Sequence, residues 1–241
     1  MSEFVQLWVY LSSTPLFGLT ATLLVYLLAQ AFYSRMQQAP WANPVLWSVV
    51  VLALGLTLTG TAYPRYFSGA QFIHFLLGPA VVALAWPLWL RRTQWHARWG
   101  RFALASLAGG TAAALSAAGL AWALDLPHDI VLSLVPKSVT APVAMGVAEK
   151  IGGVPALAAV FAVLTGMVGA LSGKYLFDAL GIGRDARGWM ARGFALGTAS
   201  HGIGAARAMQ VDADAGAWAG LALSLQVLFA SLLIPLAVRW L

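Results

Sequence analysis

The feature that most constrains the fold is a succession of apolar stretches, each long enough to cross a lipid bilayer as a helix. A transmembrane helix needs about 20 mainly apolar residues, and such stretches recur along nearly the whole chain. Charged residues make up only 9% of the 241 positions, whereas soluble domains contain about 25%. The sequence therefore predicts a single all-helical, polytopic integral membrane domain over residues 1–241, surrounded by lipid.

Six stretches are predicted to be continuous transmembrane helices, because each is mainly apolar and is bounded by polar or proline-containing connectors. These stretches are Phe4–Phe32, Val45–Ala62, Phe72–Leu90, Phe102–Leu124, Val154–Leu176 and Trp218–Trp240. The polar connectors are 34–44, 63–71, 91–101 and 174–192.

The basic residues predict how the chain is oriented. Short cytoplasmic loops are enriched in Lys and Arg. Connector 91–101 contains four arginines and no acid, whereas connector 63–71 contains one arginine. Connector 91–101 is therefore expected in the cytoplasm, and the amino terminus is expected outside.

Two further segments are apolar at both ends and polar in the middle, so they do not fit a continuous span. In the first, Asp129–Lys150, two prolines at Pro136 and Pro142 bracket the polar residues. Because proline disfavours α geometry in the residue before it, we expect helix boundaries at Val135 and Ala141.

The second interrupted segment is Arg192–Met209, in which Gly197, Gly202 and Gly204 weaken the helix around its polar residues. Irregular backbone at membrane depth is tolerated only where protein covers it or a wet cavity borders it. Paired broken helices are also typical of the substrate sites of secondary transporters. The two segments therefore predict a binding site.

The path of the first segment decides the topology. A complete crossing by Asp129–Lys150 would place the basic connector 174–192 outside, against the charge rule. A hairpin would place that connector in the cytoplasm and make spans 102–124 and 154–176 antiparallel, as in an inverted repeat. We favour the hairpin, with a broken helix that crosses fully as the alternative. For Arg192–Met209 both alternatives stay open.

Lys137 is the most informative single residue, because a lysine at membrane depth costs about 3 kcal/mol and usually faces a cavity or a partner. With the hydroxyls of Ser138 and Thr140, it is a candidate anchor for an anionic substrate. The amides at the start of the following helix would add to this site. The alternative is a lysine that reaches the membrane interface or pairs with Asp129 or Glu149.

A second set of candidate substrate-binding residues comprises Thr198, Ser200, His201 and Arg207. Histidine can accept or donate a hydrogen bond and can change charge near neutral pH, and arginine can bind a carboxylate with two hydrogen bonds. The alternatives are a packed histidine that binds a neighbouring carbonyl and an arginine at the membrane interface.

Other kinds of site are not expected. The chain has no cysteine, which excludes disulfides and thiolate metal sites, and its four histidines lack short metal-ligand spacing. We therefore predict no metal and no cofactor. The residues around Lys174 and Ser200 match neither a P-loop nor a nucleophile elbow, so an enzyme is not expected. The basic residues lie at the ends of apolar stretches, which does not indicate nucleic-acid binding.

Four stretches carry a family resemblance: Phe75–Ala85, Pro136–Pro142, Ile151–Pro155 and Gly197–Gly204. In these stretches the sequence resembles the LrgB/CidB family of bacterial membrane proteins, and the resemblance extends over about residues 45–240. The chain departs from the family pattern at Ala205, where a threonine is expected, and at Ala215, where an acidic residue is frequent.

The resemblance implies a multi-pass protein of the bacterial inner (plasma) membrane with a small LrgA/CidA-type membrane partner. Family members are described as antiholin-like modulators of murein hydrolases and autolysis, and a plastid glycolate/glycerate translocator is related. The expected function is transport or export of small monocarboxylates such as pyruvate or glycolate. Antiholin-like regulation of autolysis is the alternative. Glycine pairs four residues apart, such as Gly193 and Gly197, are compatible with a homodimer.

Overall fold

A computed structural model describes residues 16–76, 89 and 92–239. The chain forms two compact units, residues 1–83 and 84–241. All regular secondary structure in the described part is helical. Four of its helices are long and apolar enough to cross a membrane, namely Leu16–Arg35, Trp99–Ala123, Pro155–Ala179 and Ala213–Val238. The all-helical membrane architecture is therefore confirmed, whereas the count of six continuous spans stays a prediction.

Within residues 16–76, the first unit forms helices α1 (Leu16–Arg35), α2 (Pro44–Leu58) and α3 (Tyr63–Phe75) and a short 3-10 turn at Pro40–Ala42. Helix α2 is capped by Asn43, whose Oδ1 accepts hydrogen bonds from the first-turn amides of the helix. Helix α1 packs against both α2 and α3.

Helix α3 corrects the prediction of a connector at 63–71. Its only proline, Pro64, is the second residue of the helix, where the missing N–H costs no intrahelical hydrogen bond. The predicted span Phe72–Leu90 lies mostly outside the described residues, as does the start of Phe4–Phe32.

The second unit contains α4 (Arg92–His96), α5 (Trp99–Ala123), α6 (His128–Leu134), α7 (Ala141–Ile151), α8 (Pro155–Ala179), α9 (Ala186–Val211) and α10 (Ala213–Val238). Helix α10 begins five residues before the predicted span at Trp218, because Asp212 caps it. The Oδ1 atom of Asp212 accepts hydrogen bonds from the amides of Asp214 and Ala215. The basic connectors 91–101 and 174–192 are largely helical, which corrects their assignment as loops.

The first interrupted segment folds back on itself between α6 and α7. The amide of Val154, just after α7, donates a 2.7 Å hydrogen bond to Ser133 Oγ in α6. A continuous helix would separate these residues by about 30 Å. The helix boundaries lie where the prolines predicted them. Val135 is the C-cap residue of α6, and Ala141 is the first residue of α7.

The second interrupted segment also reverses direction, at Ser200 and His201 within α9. Their backbone angles are non-helical, and His201 has a φ of +40°. A Cβ added to Gly204 would lie 2.7 Å from the carbonyl oxygen of Leu196, although eight residues of continuous helix would span about 12 Å. Helix α9 therefore consists of an outgoing half, 186–199, and a returning half, 202–211, which settles the open alternatives in favour of a hairpin.

Contacts between the long helices establish their relative directions. The outgoing half of α9 runs parallel to α5, because Phe194 packs on Phe102 and Thr198 lies against Gly109. The same half runs antiparallel to α8, whose Gly173 meets Leu196. Helices α5 and α8 are thus antiparallel, as expected for spans 102–124 and 154–176.

The turn between α8 and α9 is held by one buried arginine, Arg192. Its guanidinium forms a 2.6 Å ion pair with Asp178 and donates hydrogen bonds to the carbonyls of Ile182 and Gly183. Only 7% of the Arg192 side chain is exposed. The residue therefore has a structural role at the basic end of the unit.

Candidate functional site

The two interrupted segments meet beside the first half of helix α8. Val139, at the tip of the first hairpin, packs in a buried cluster that includes Ala162 of α8. His201, at the tip of the second hairpin, binds the carbonyl oxygen of Ala162 at 2.7 Å. A Cβ on Gly202 would lie 3.9 Å from Thr140 Cγ2, which is an ordinary contact distance. Two stretches about sixty residues apart therefore come together.

The first hairpin presents polar groups that have few partners. Lys137 is half-buried, and its ammonium group forms no hydrogen bond or ion pair with the residues that the structure describes. Asp129 and Glu149, the two alternative partners, are both exposed. Ser138 is buried, and its hydroxyl makes no hydrogen bond within the described part of the chain.

Thr140 lies at the N-cap position of α7 but does not cap the helix with its side chain. The first-turn amides of an α-helix have no partners within the helix, and they carry the positive end of the helix dipole. The start of α7, four residues after Lys137 in the chain, therefore has amides that are open to other partners, and their part in a substrate site stays a prediction.

The second hairpin places its two central residues against α8. A carbonyl oxygen only accepts hydrogen bonds, so Nε2 of His201 must carry a hydrogen. This N–H donates a hydrogen bond to the carbonyl oxygen of Ala162. This bond matches the alternative of a packed, carbonyl-bound histidine. Ser200 lies so close to Gly169 that a Cβ at that glycine would collide with its Oγ. Both side chains are at most 3% exposed.

Thr198 faces the opposite way, toward α5. A Cβ on Gly109 would lie 2.8 Å from Thr198 Cγ2. The hydroxyl of Thr198 is buried and has no hydrogen-bond partner among the described residues. The second predicted set is therefore divided between two contact surfaces: Thr198 packs against α5, whereas Ser200 and His201 pack against α8.

Arg207 lies on the returning half of α9 and is 6% exposed. Burial within the protein does not fix depth in the membrane, so the substrate-binding arginine and the interfacial arginine both stay predictions.

Two glycines of α8 were missed as parts of the site. Gly166 and Gly169 leave room for His201 and Ser200, respectively. Together with Gly173, they are spaced three and four residues apart and so lie on one face of the helix. This spacing in the sequence is the signal that could have identified the face of α8 that receives the second hairpin.

No group of three or more potential metal ligands occurs among the described residues.

Several glycine pairs predicted to permit close helix contact do so within the chain. Gly193 and Gly197 lie against the backbone of α10 at Ala215 and Ala219. The homodimer stays a prediction.

Comparison with known proteins gives consistent matches over most of the chain. The LrgB-like family matches residues 22–240. The chain is 34% identical to YxaC of Bacillus subtilis over 225 residues, which cover 91% of this chain and 93% of that protein. It is 35% identical to YwbG of the same organism over 199 residues, covering 83% and 86%. It is also 29% identical to the holin-like protein CidB of Staphylococcus aureus over 223 residues, covering 90% and 96%. No solved structure matches the chain.

Proposed function

Since the chain belongs to the LrgB-like family, we propose that it transports or exports small monocarboxylates of the pyruvate or glycolate type across the bacterial inner membrane. A small LrgA/CidA-type membrane protein is its proposed partner. By the positive-inside rule, the basic end of the second unit faces the cytoplasm and the amino terminus lies outside.

One observation carries the proposal: two backbone reversals meet beside Ala162, and polar groups of the hairpins, such as the Ser138 hydroxyl, have no partner among the residues that the structure describes. A polar group without a hydrogen-bond partner at membrane depth costs several kcal/mol. The cost is avoided when a substrate or a water molecule supplies the missing hydrogen bond. Discontinuous helices that meet near the membrane midplane are the common construction of secondary-transporter sites.

In the proposed site, Lys137 supplies the charge that attracts a carboxylate. The Ser138 hydroxyl and the open first-turn amides of α7 donate hydrogen bonds to the carboxylate oxygens. Thr140, two residues after Ser138 in the chain, lies next to Gly202 of the second hairpin. Substrate bound here would contact both hairpins, so its binding would favour one arrangement of the two.

His201 has a positioning role in this proposal. Its Nε2–H···O bond joins the tip of the second hairpin to α8, so that motion of α8 would move the tip. The antiparallel directions of α5 and α8, each followed by a hairpin, are consistent with the inverted repeat. Rocking of one half against the other would alternate access to the site.

Flux in proteoliposomes tests the site. Lys137→Ala and Ser138→Ala should each reduce uptake of radiolabelled glycolate or pyruvate, with about a tenfold loss for Lys137→Ala. A tenfold loss corresponds to about 1.4 kcal/mol, close to the lower limit of about 1.5 kcal/mol for one hydrogen bond to a charged group. Lys150→Ala is the matched control, because Lys150 is an exposed lysine of the same hairpin. Equal flux in the Lys137 and Lys150 variants would refute the assignment.

The second candidate function, antiholin-like regulation of autolysis, is favoured by the name of one relative, the holin-like protein CidB. A lesion-forming protein would release large fluorescent dextrans from liposomes, whereas a carrier would retain them while exchanging carboxylates. Dextran release, together with murein hydrolase activity that responds to the protein without any carboxylate gradient, would favour regulation over transport.

A further inference from the structure

An apolar groove of about 560 Å³ lies between α5 and the outgoing half of α9. Ala105 and Ala195 line it and are exposed, so the groove opens to the surroundings of the second unit. Phe102 and Phe194 also line it, are buried, and have ring centroids 5.3 Å apart. The hydroxyl oxygen of Thr198, a further lining residue, is buried. The walls therefore offer carbon atoms and no side-chain hydrogen bond.

The length of the groove suits a lipid chain. On α5 the lining residues run from Arg101 to Gly109 beyond the arginines' own turn, a rise of about 12 Å. On α9 they run from Met190 to Ala199, a rise of about 14 Å. The hydrocarbon core of a bilayer is about 30 Å thick, so one leaflet contributes about 15 Å. The groove is thus about as long as one leaflet is deep.

One end of the groove is strongly basic. Arg98 and Arg101, both exposed, line this end. Arg187, also exposed, precedes the lining residue Ala191 by one helical turn and so lies toward the same end. Trp99, the first residue of α5, is 45% exposed. Because tryptophan is enriched at the membrane–water interface, its position places these arginines at the level of the lipid headgroups.

The acidic residues nearest in the chain to Arg187 have other partners. Asp178 pairs with Arg184 and Arg192, and Asp185 accepts a hydrogen bond from the amide of Gly188 at the start of α9. The arginines at the end of the groove form no ion pair with a residue that the structure describes. Their charge is therefore open to an anion from outside the protein.

We propose that this groove binds one anionic phospholipid, with an acyl chain along the apolar walls and the phosphate at Arg98, Arg101 and Arg187. Basic pockets between transmembrane helices bind the headgroups of anionic lipids, and a guanidinium can bind a phosphate with two hydrogen bonds. The bound lipid would hold α5 against the outgoing half of α9. The proposal does not depend on the proposed transport function, because a carrier and a regulator would bind the lipid alike.

Native mass spectrometry of the purified full-length protein tests the charge. The protein, in a mild non-ionic detergent, is titrated with phosphatidylglycerol or with phosphatidylcholine of identical acyl chains. The first phosphatidylglycerol should bind at least about tenfold more tightly than phosphatidylcholine. The R98Q/R101Q variant should bind phosphatidylglycerol about 25-fold more weakly, at about fivefold for each arginine, with phosphatidylcholine unaffected. R239Q is the control, because Arg239 follows α10 at the opposite end of the unit.

Two further variants test the walls while they keep the arginines. Ala105→Trp and Ala195→Trp each put an indole into the groove. Each should weaken phosphatidylglycerol binding by about tenfold, equivalent to roughly two methylene groups kept out of the groove. Ala112→Trp is the matched control, because Ala112 is an exposed alanine of α5 that does not line the groove. All of the replaced alanines are exposed, so folding should survive each change.

Three results would overturn the proposal. The first is equal affinity for the two lipids, or equal weakening by R239Q and R98Q/R101Q. The second is phosphatidylglycerol binding that neither Ala105→Trp nor Ala195→Trp weakens more than Ala112→Trp does, because the lipid would then touch the arginines without entering the groove. The third is displacement of phosphatidylglycerol by an equal concentration of inorganic phosphate, which would identify a site for a free anion.

Discussion

The reversal of helix α9 can be tested by a substitution whose effect on stability has opposite signs in a hairpin and in a continuous helix. Gly204→Ala adds one methyl group to the returning half. In the hairpin this methyl would lie 2.7 Å from the Leu196 carbonyl oxygen and 2.6 Å from Ser200 Cβ. Neither atom can swing away, because one belongs to the backbone and the other is attached directly to it.

The two contributions can be weighed against each other. Overpacking of this kind costs about 1–3 kcal/mol, and the two fixed obstacles place Gly204→Ala near the upper value. Replacing glycine by alanine within a helix stabilises it by about 1 kcal/mol. The net expectation is destabilisation by about 2 kcal/mol, which lowers the Tm by about 4–8 °C in a chain of this length.

Two control variants isolate the steric effect. A Cβ on Gly202 would meet only Thr140 Cγ2, at 3.9 Å, and one on Gly119 would meet nothing within 4 Å. Both alanine variants should therefore be neutral or slightly stabilised. Tryptophan fluorescence during thermal unfolding of the purified protein is a suitable assay, since the chain contains 11 tryptophans. A Gly204→Ala variant as stable as Gly119→Ala would show that α9 continues unbroken through this position.

Two further predictions concern other buried residues. Arg192→Ala should lower the Tm and speed proteolysis of the turn 180–185 by removing the guanidinium that binds Asp178 and two carbonyls. Arg192→Lys should recover only part of this loss, because an ammonium group lacks the guanidinium fork, and full recovery in the unfolding assay would contradict that reasoning. His201→Gly should be more stable than His201→Ala by about 1–2 kcal/mol, the reverse of the helix-propensity order, because a φ of +40° strains any residue with a Cβ. An alanine variant with the higher Tm would argue against the backbone reversal at His201.

The elements that the sequence predicted well are those governed by local chemistry. The prolines of the first hairpin fix the end of α6 at Leu134 and the start of α7 at Ala141, since the restrictions imposed by proline act on neighbouring residues. The long apolar helices α5, α8 and α10 were predicted from composition, with boundaries moved by caps such as Asp212. Helix α3 was missed because a proline followed by polar residues is typical of both a connector and a helix start.

The contacts of the site could be predicted only in part. The meeting of the two hairpins was predicted from their shared pattern of polar residues within apolar flanks, and the structure brings them together at Thr140 and Gly202. The helix that each side chain faces could not be predicted from spacing. Around a continuous helix, adjacent residues point about 100° apart, but the reversal at Ser200 and His201 invalidates that geometry.

The tip of the second hairpin contacts both α5 and α8, which bears on how a carrier built in this way would work. Thr198 lies against Gly109 of α5, whereas the His201 side chain is hydrogen-bonded to Ala162 of α8, yet only two residues separate them. Since α5 and α8 are antiparallel and each leads into or out of a hairpin, the tip connects the two halves of the unit. A displacement of α8 relative to α5 must therefore either break the His201–Ala162 hydrogen bond or pull Thr198 away from Gly109. The position of the hairpin tip is thus mechanically coupled to both helices, as the proposed alternating access requires.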